Sequence, residues 1–139
     1  MNTVKDLIPQ REPFLFVDKI IERNENFVIT EKYLDSDLDF FKGHFPNMPI
    51  MPGVLLLENC FQSGAILMGN SDTDSTGNYG VVTRIKDTKF KNFAKPGDTL
   101  VTKVSIEEKI ENAFYMKGSI SVNGKLIMQV RFQGALTSL

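Results

Sequence analysis

The stretch GHFPNMPIMPGVLLLENCFQ, residues 43–62, decides how this chain folds. Its first half has three prolines in seven residues and the only histidine of the chain, His44. Its second half is an apolar run interrupted by one acid, Glu58. Pro52 stands at a first-turn position and Gly69 at a stop, so a helix is predicted between them. Apolar residues lie nearly all the way round this helix, which indicates that the rest of the fold encloses it.

Strand-like segments flank the helix on both sides. FLFVDKIIER (14–23) and NFVITEKYL (26–34) are rich in β-branched and aromatic residues, and a polar turn at 24–26 joins them. After the helix and a polar loop at 71–78, further strands are predicted at 79–90, 98–110, 113–124 and 125–136. The Asn123-Gly124 pair predicts a hairpin between the last two.

Two other segments complete the chain. A short helix is predicted over residues 3–8, stopped at Pro9. DSDLDFFKGHFPNMPIMPG, residues 35–53, is expected to be irregular because of its prolines and glycines. The fold class is therefore α+β: an antiparallel sheet wrapped around one long hydrophobic helix. A chain of 139 residues suits one domain, 1–139.

Composition excludes several classes of function. The formal net charge of −1 gives no overall attraction to nucleic acid or to an anionic membrane. One cysteine, Cys60, cannot form an internal disulfide, and with one histidine it is too small a set for zinc, so a reducing cytoplasm is the expected location. Cys60 is interpreted as a small buried hydrophobe rather than a nucleophile. The N-terminus lacks a signal-peptide pattern, and the apolar stretch 54–68 is shorter than the roughly 20 residues that span a bilayer.

The central stretch contains groups that can do chemistry. His44 alone has a plain structural interpretation, a loop histidine that makes a hydrogen bond. Glu58 either reaches solvent at the helix edge or is enclosed, and an enclosed carboxylate needs a partner. Gln62, four residues on, lies on the same helical face and can hold it.

The start of the helix adds a third group. Pro52 and Gly53 leave unpaired backbone N–H groups at the positive end of the helix dipole, which stabilise a developing negative charge on an oxygen. A base, an acid and an oxyanion site suit proton abstraction next to a thioester carbonyl, followed by loss of a β-hydroxyl. The chain has no GxSxG, no glycine-rich phosphate loop and no HExxH.

These motifs resemble a known family. GHFPNMPIMPGVLLLENCFQ is similar to the signature of the (3R)-hydroxyacyl-acyl-carrier-protein dehydratases of the FabZ type, which have the hot-dog fold. IPQREPFLFVD (8–18) and IKDTKFKNFAKPGD (85–98) resemble two further family segments in the same order. The resemblance covers nearly the whole chain and implies a single hot-dog dehydratase domain.

The resemblance also implies roles for individual residues. His44 matches the histidine that removes the C2 proton, and Glu58 matches the carboxylate that delivers a proton to the departing hydroxyl. Gly53 matches the glycine whose N–H polarises the thioester carbonyl. Ile50 matches the position whose carbonyl orients the histidine ring, and Gln62 the glutamine that supports the carboxylate.

In such enzymes the substrate arrives on the phosphopantetheine arm of acyl carrier protein, and no metal or dissociable cofactor is used. Histidine and carboxylate of one site come from different subunits, so the implied unit is a homodimer, often assembled into a trimer of dimers. Glutamate at position 58 is typical of the FabZ branch, whereas the related dehydratase-isomerase has aspartate there.

The sequence departs from the family pattern at four positions. Gln10 replaces a usual histidine, Glu12 a usual aromatic residue, and Asn47 a common glycine. Phe61 stands in ENCFQ where the family has the smaller EAMAQ, so it adds bulk close to the catalytic helix and is assigned to the substrate-binding residues. None of these changes removes a group with an implied catalytic role.

One cluster of cations suggests where the acidic carrier protein docks. The segment RIKDTKFKNFAK has one acid, Asp87, and the cations Arg84, Lys86, Lys89, Lys91 and Lys95. The alternative is a solvated strand edge with protective lysines.

Two other functions stay open for the whole chain. An acyl thioesterase on the same fold would direct water at the thioester with a carboxylate and would not need His44. A non-catalytic acyl-binding subunit would be expected to lack the base or the acid, and both residue types are present.

Overall fold

The computed structural model describes residues 3–69 and 78–138. The helices are α1 (Val4–Leu7), α2 (Asp39–Gly43) and α3 (Gly53–Met68). The strands are β1 (Lys19–Arg23), β2 (Phe27–Tyr33), β3 (Asn78–Phe90), β4 (Thr99–Ile110), β5 (Ala113–Val122) and β6 (Lys125–Ser138). These strands form one antiparallel sheet in the order β1-β2-β4-β5-β6-β3, and α3 packs against it.

The central helix begins and ends where the sequence predicts. Pro52 precedes its first residue and Gly69 follows its last. Between Asn59 and Met68 every side chain except Phe61 is buried, as expected for an enclosed helix. The first turn is different, because Val54 is 70% exposed. No helix in the described ranges is long and apolar enough to cross a membrane.

The strands after α3 match the sequence prediction closely. β5 and β6 are joined at Asn123 and Gly124, whose φ angles are 51° and 80°. Two positive φ angles in succession are those of a type I′ turn, which suits the twist of a hairpin. The predicted polar loop at 71–78 lies outside the described residues except for its last position, where β3 begins.

The prediction of a strand over 14–23 is wrong for residues 14–18, because only Lys19–Arg23 forms a strand. The backbone of the first half is hydrogen-bonded to side chains of α3 instead. The Phe16 N–H donates to Gln62 Oε1 at 2.8 Å, and the Phe16 carbonyl accepts from Asn59 Nδ2 at 2.6 Å. The Phe14 carbonyl accepts from Gln62 Nε2 at 2.8 Å. These groups are paired with the helix and therefore join no neighbouring strand.

The prediction of irregular structure over 35–53 is also wrong in part, because α2 occupies Asp39–Gly43. The first proline of this segment is Pro46, so nothing in the preceding residues blocks a helical turn. Phe41 is buried, and Leu38 and Phe40 pack against the core. The turn of helix is held by this burial, which local sequence signals do not show.

Buried polar side chains join α3 to the sheet. Thr102 on β4 donates to Asn59 Oδ1 at 2.6 Å, and Thr30 on β2 is hydrogen-bonded to Ser63 at 2.9 Å. Thr30 and Thr102 are directly opposite each other in the sheet. All four side chains are buried. Because each group needs its partner in a site without water, these bonds set the position of the helix along the strands.

We expect Asn59→Ala to lower the free energy of unfolding by about 3 kcal/mol, because it leaves the Phe16 carbonyl and the Thr102 hydroxyl buried without a partner. Urea denaturation of both proteins measures the difference. Asn112→Ala is the matched control: its side chain also donates to a backbone carbonyl, that of Leu136, but at an exposed site. Equal losses in the two variants would contradict the assigned role of Asn59.

Candidate active site

His44 is placed by the end of α2 and a tight turn. Its backbone N–H donates to the Phe40 carbonyl at 3.1 Å, and Phe45 follows with a φ of 49° in the left-handed region. The ring Nδ1 lies 3.1 Å from the Ile50 carbonyl oxygen. A carbonyl only accepts, so in the neutral ring Nδ1 carries the proton and Nε2 has the lone pair. In this tautomer the ring can act as a base through Nε2.

A cavity of about 300 Å³ lies next to His44. Its walls are mostly apolar and come from the loop before α3, the first turns of α3, the end of β3 and the segment after it: Ile50, Met51, Gly53, Leu56, Phe90, Lys91, Asn92 and Phe93. Phe90 and Phe93 on this wall are exposed, and so are Phe45, Met48 and Val54 nearby in sequence. A group of exposed large apolar side chains is typical of a surface that binds a ligand or another subunit.

The first turn of α3 contributes backbone donors to this cavity. Gly53 is the first helical residue, and the first N–H groups of a helix have no acceptor within it. A Cβ atom at Gly53 would lie 3.0 Å from Phe90 Cε1, so the absence of a side chain lets the phenylalanine ring approach the helix. The positive end of the α3 dipole and free N–H groups are therefore on the same cavity wall as His44.

Glu58 lies farther along α3 and is half-buried. Burial raises the pKa of its carboxyl above the ordinary value, and a hydrogen bond from Gln62 Nε2 at 3.0 Å offsets part of this rise. The orientation of the Gln62 amide is determined by its other partners: Oε1 accepts from the Phe16 N–H, so Nε2 must be the atom that faces Glu58. Gln62 therefore donates to Glu58 from the next turn of the same helix.

A single chain brings only some of the predicted site residues together in one cavity. His44, Ile50 and Gly53 share a cavity, whereas Glu58 and Gln62 are not among the residues that line it. Gly53 and Glu58 are five positions apart, which places them about 140° apart around the helix axis. Phe61 is beside Glu58 on α3 and packs edge-on against Phe132 of β6, with ring centroids 5.0 Å apart.

The predicted cationic patch is divided between two places. Ile85 is paired with the buried Phe132, so both face α3, and the alternating residues on β3 and β6 face outward. Arg84, Lys86 and Lys89 are paired with Gln133, Arg131 and Gln129 on that outer face. Lys91, by contrast, lines the cavity beside His44, and Lys95 is exposed on the loop that follows.

Cys60 faces the sheet and is fully buried. Burial raises the pKa of its thiol, so the reactive thiolate is suppressed. This agrees with its interpretation as a small core residue.

Several residues at or near the site were not found from the sequence. Asn59 was visible as a polar residue in an apolar helix, but its partners Phe16 and Thr102 are 43 positions away in the chain. Phe90 and Phe93 gave no signal of their own, because aromatic residues near a strand end are ordinary core candidates.

We expect Glu58→Gln to raise the melting temperature at neutral pH. A carboxyl whose pKa is raised on folding contributes most stability below its unfolded pKa and loses it as the pH rises through the folded pKa. The gain of the variant should therefore shrink as the pH falls toward 4, the ordinary range of glutamate. Thermal unfolding at several pH values measures this, with Glu22→Gln on the exposed surface of β1 as the control. A gain that does not change with pH would contradict the explanation.

The sequence matches the FabA-like domain family over residues 8–131. It is 36% identical over 137 residues to the bifunctional enzyme LpxC/FabZ of Porphyromonas gingivalis, with 98% of this chain covered. The chain spans 30% of the length of that bifunctional relative. It is 37% identical over 137 residues to the 3-hydroxyacyl-(acyl-carrier-protein) dehydratase FabZ of Oceanobacillus iheyensis, which covers 98% of this chain and 97% of that one.

Among solved structures, the dehydratase heterocomplex ApeI:P from Xenorhabdus doucetiae is similar with a TM-score of 0.83 and 15% sequence identity, over 99% of this chain and 93% of that one. This likeness concerns the fold, which is the hot-dog fold. Since the family match extends over most of the chain and the FabZ relative aligns over nearly its full length, this chain belongs to the FabA-like family, among relatives of the FabZ type.

Proposed function

We propose that this chain removes water from (3R)-3-hydroxyacyl thioesters on acyl carrier protein and gives trans-2-enoyl thioesters, in fatty-acid or related acyl-chain biosynthesis. The observation that carries this proposal is His44, which lies on one cavity wall with the first turn of α3. Its Nδ1 is hydrogen-bonded to the Ile50 carbonyl, and none of the residues that the structure describes bonds its Nε2. The FabZ relatives support it. Residues 1–139 act as one domain in this proposal.

The first chemical step uses the groups of the His44 cavity. Nε2 of His44 takes the proton from C2 of the substrate, and negative charge develops on the thioester carbonyl oxygen. The N–H of Gly53 donates to that oxygen, and the dipole of α3 stabilises the charge. Both contributions are greater in a cavity with apolar walls than in water.

The second step uses Glu58. Because its pKa is raised, the carboxyl of Glu58 stays protonated to a higher pH than an ordinary glutamate does. The protonated carboxyl can give its proton to the hydroxyl that leaves C3. The hydroxyl and this proton form water, and the electron pair of the C2–H bond becomes the new C2–C3 double bond. Gln62 keeps the carboxyl in position through its bonds to the backbone of Phe14 and Phe16.

The two steps need His44 and Glu58 next to the same substrate, and a homodimer supplies this. In the twofold dimer that the family resemblance implies, His44 of one subunit faces Glu58 of the other. The exposed apolar residues around the cavity support such an interface: Phe45, Met48, Val54, Phe90 and Phe93. Within residues 3–69 and 78–138, β3 is an edge strand whose one partner is β6, so its other edge can meet a second copy. A trimer of such dimers is the larger assembly that the family resemblance implies.

Acyl carrier protein docks, in this proposal, at the end of the cationic segment nearest the cavity. Lys91 lines the cavity beside His44, so a phosphopantetheine arm that enters there brings its phosphate near a positive charge. Arg84, Lys86 and Lys89 are on the outer face of the sheet and are less suited to guide that arm.

The catalytic assignment predicts that His44→Ala and Glu58→Gln each lower the rate of dehydration by at least about 100-fold, the usual scale for a general acid or base. The assay follows absorbance of the enoyl thioester formed from 3-hydroxybutyryl-acyl carrier protein. Free thiol from the wild type, without enoyl product, would instead indicate a thioesterase. No reaction on any chain would indicate an acyl-binding subunit.

Coexpression of the two variants tests whether one site uses two subunits. Random pairing makes half of the dimers mixed, and each mixed dimer has one complete site, so roughly a quarter of wild-type activity should return. A chain with both substitutions, coexpressed with the His44→Ala chain, is the control, since no pairing of these chains completes a site. Failure of the mixed dimers to recover activity would contradict the shared site.

The docking proposal predicts that Lys91→Glu raises KM for the carrier-protein substrate by about 10-fold at low salt, with a smaller effect at high salt because ions screen the interaction. Lys86→Glu is the matched control, because it makes the same charge change on the outer face of the sheet. Steady-state kinetics at two ionic strengths measure both. An equal or larger effect of Lys86→Glu would indicate that the carrier protein docks on the outer face of the sheet instead.

A further inference from the structure

One face of α3 is only partly covered by the rest of the fold. Val54 is exposed, and Leu57, Glu58 and Phe61 are half-buried. Their spacing of three, four and seven positions places them in one stripe along the helix. Leu56, Asn59 and Cys60, on the other side of the helix axis, are buried. A substrate that reaches Glu58 must lie along this open stripe or between the helix and the sheet.

α3 and the sheet are in close contact at three glycines. A Cβ atom at Gly64 would lie 2.8 Å from Phe132 Cζ, and one at Gly118 would lie 3.0 Å from Cys60 Sγ. A Cβ atom at Gly134 would lie 2.7 Å from Met68 Sδ. A methyl group at any of these positions would require the Phe132, Cys60 or Met68 side chain to move. Of the two routes, the open stripe is the one that does not require these three contacts between α3 and the sheet to separate.

The immediate neighbours of Glu58 further restrict the space that a substrate can occupy along the stripe. Gln62 is fully buried, and residues 14–16 cover the helix on its side. Phe61, one helical turn beyond Glu58, is the next side chain on the open stripe. Its ring packs edge-on against Phe132 with an interplanar angle of 62°. This contact with a buried ring holds Phe61 in place.

We infer that Phe61 limits the length of the acyl chain and that the enzyme prefers short 3-hydroxyacyl groups. The inference rests on the proposed function: if Glu58 protonates the hydroxyl on C3, then C4 and the carbons after it begin beside Glu58. Extension toward the C-terminal end of α3 brings these carbons against the Phe61 ring. A short chain ends before it, whereas a long chain has to displace a ring that Phe132 supports.

The test compares 3-hydroxybutyryl and 3-hydroxydodecanoyl thioesters of acyl carrier protein as substrates of the wild type, Phe61→Ala and Phe61→Leu. We expect the wild type to have at least about 10-fold higher kcat/KM for the short chain, the range over which a hydrophobic pocket discriminates methylene groups. Phe61→Ala should raise the long-to-short ratio by about 10-fold, mainly through KM for the long chain, and Phe61→Leu by less.

Phe27→Ala is the matched control, because Phe27 is also half-buried but lies on the outer face of the sheet beneath Lys103. It should leave the ratio unchanged. Phe61→Leu keeps the test valid if Phe61→Ala does not fold. An unchanged ratio in a folded Phe61 variant, or equal use of both chains by the wild type, would overturn the inference while leaving the dehydratase function in place. If the wild type dehydrates neither substrate, the proposed function fails and the inference fails with it.

Discussion

The structure depends most on the hydrogen bonds that the amides of Asn59 and Gln62 make from the buried side of α3. Asn59 joins the helix to β4 through Thr102 and to the N-terminal segment through the Phe16 carbonyl. Gln62 holds the same segment against the helix through hydrogen bonds to the backbone of Phe14 and Phe16. These groups are buried, so a shift of the helix by one turn would leave several of them without partners. Apolar packing alone has no such preference for one position.

The same interactions serve the candidate site. Gln62 uses its carbonyl oxygen and its N–H groups to hold the N-terminal segment, and it also donates to Glu58. The orientation of the carboxyl is therefore tied to the packing of the N-terminal segment on the helix. Partial burial raises the pKa of Glu58, and the hydrogen bond limits the rise. A structural network and a proposed catalytic acid thus share one side chain.

α3 also places the two proposed catalytic groups on different sides of one chain. Its first turn faces the His44 cavity, whereas Glu58 is on another side of the same helix. The proposed two-subunit site would bring both groups to one substrate, because a second copy can place its Glu58 at the cavity of His44. The exposed apolar side chains around His44 support this proposal.

Local signals predicted much of the fold. The ends of α3 follow from Pro52 and Gly69, and the last hairpin follows from Asn123-Gly124, because these residues determine backbone angles within a few positions. The sequence pattern gave wrong predictions where contacts between residues far apart in the chain override the local preference for strand or loop. Residues 14–18 have strand-forming composition, yet their backbone is paired with side chains of the helix. The α2 turn depends on the burial of Phe41.

For the candidate site, the sequence by itself determined which groups are available: one histidine, one acid in an apolar helix, a glutamine one turn later and a glycine at the helix start. Only the tertiary structure decided which of them meet. It placed the Ile50 carbonyl on His44 Nδ1, put Lys91 in the cavity and Lys86 on the outer face, and packed Phe61 against Phe132. Spacing along the chain controls the side of a helix or strand on which a residue lies. Contacts between residues far apart in sequence depend on how the whole sheet closes around the helix.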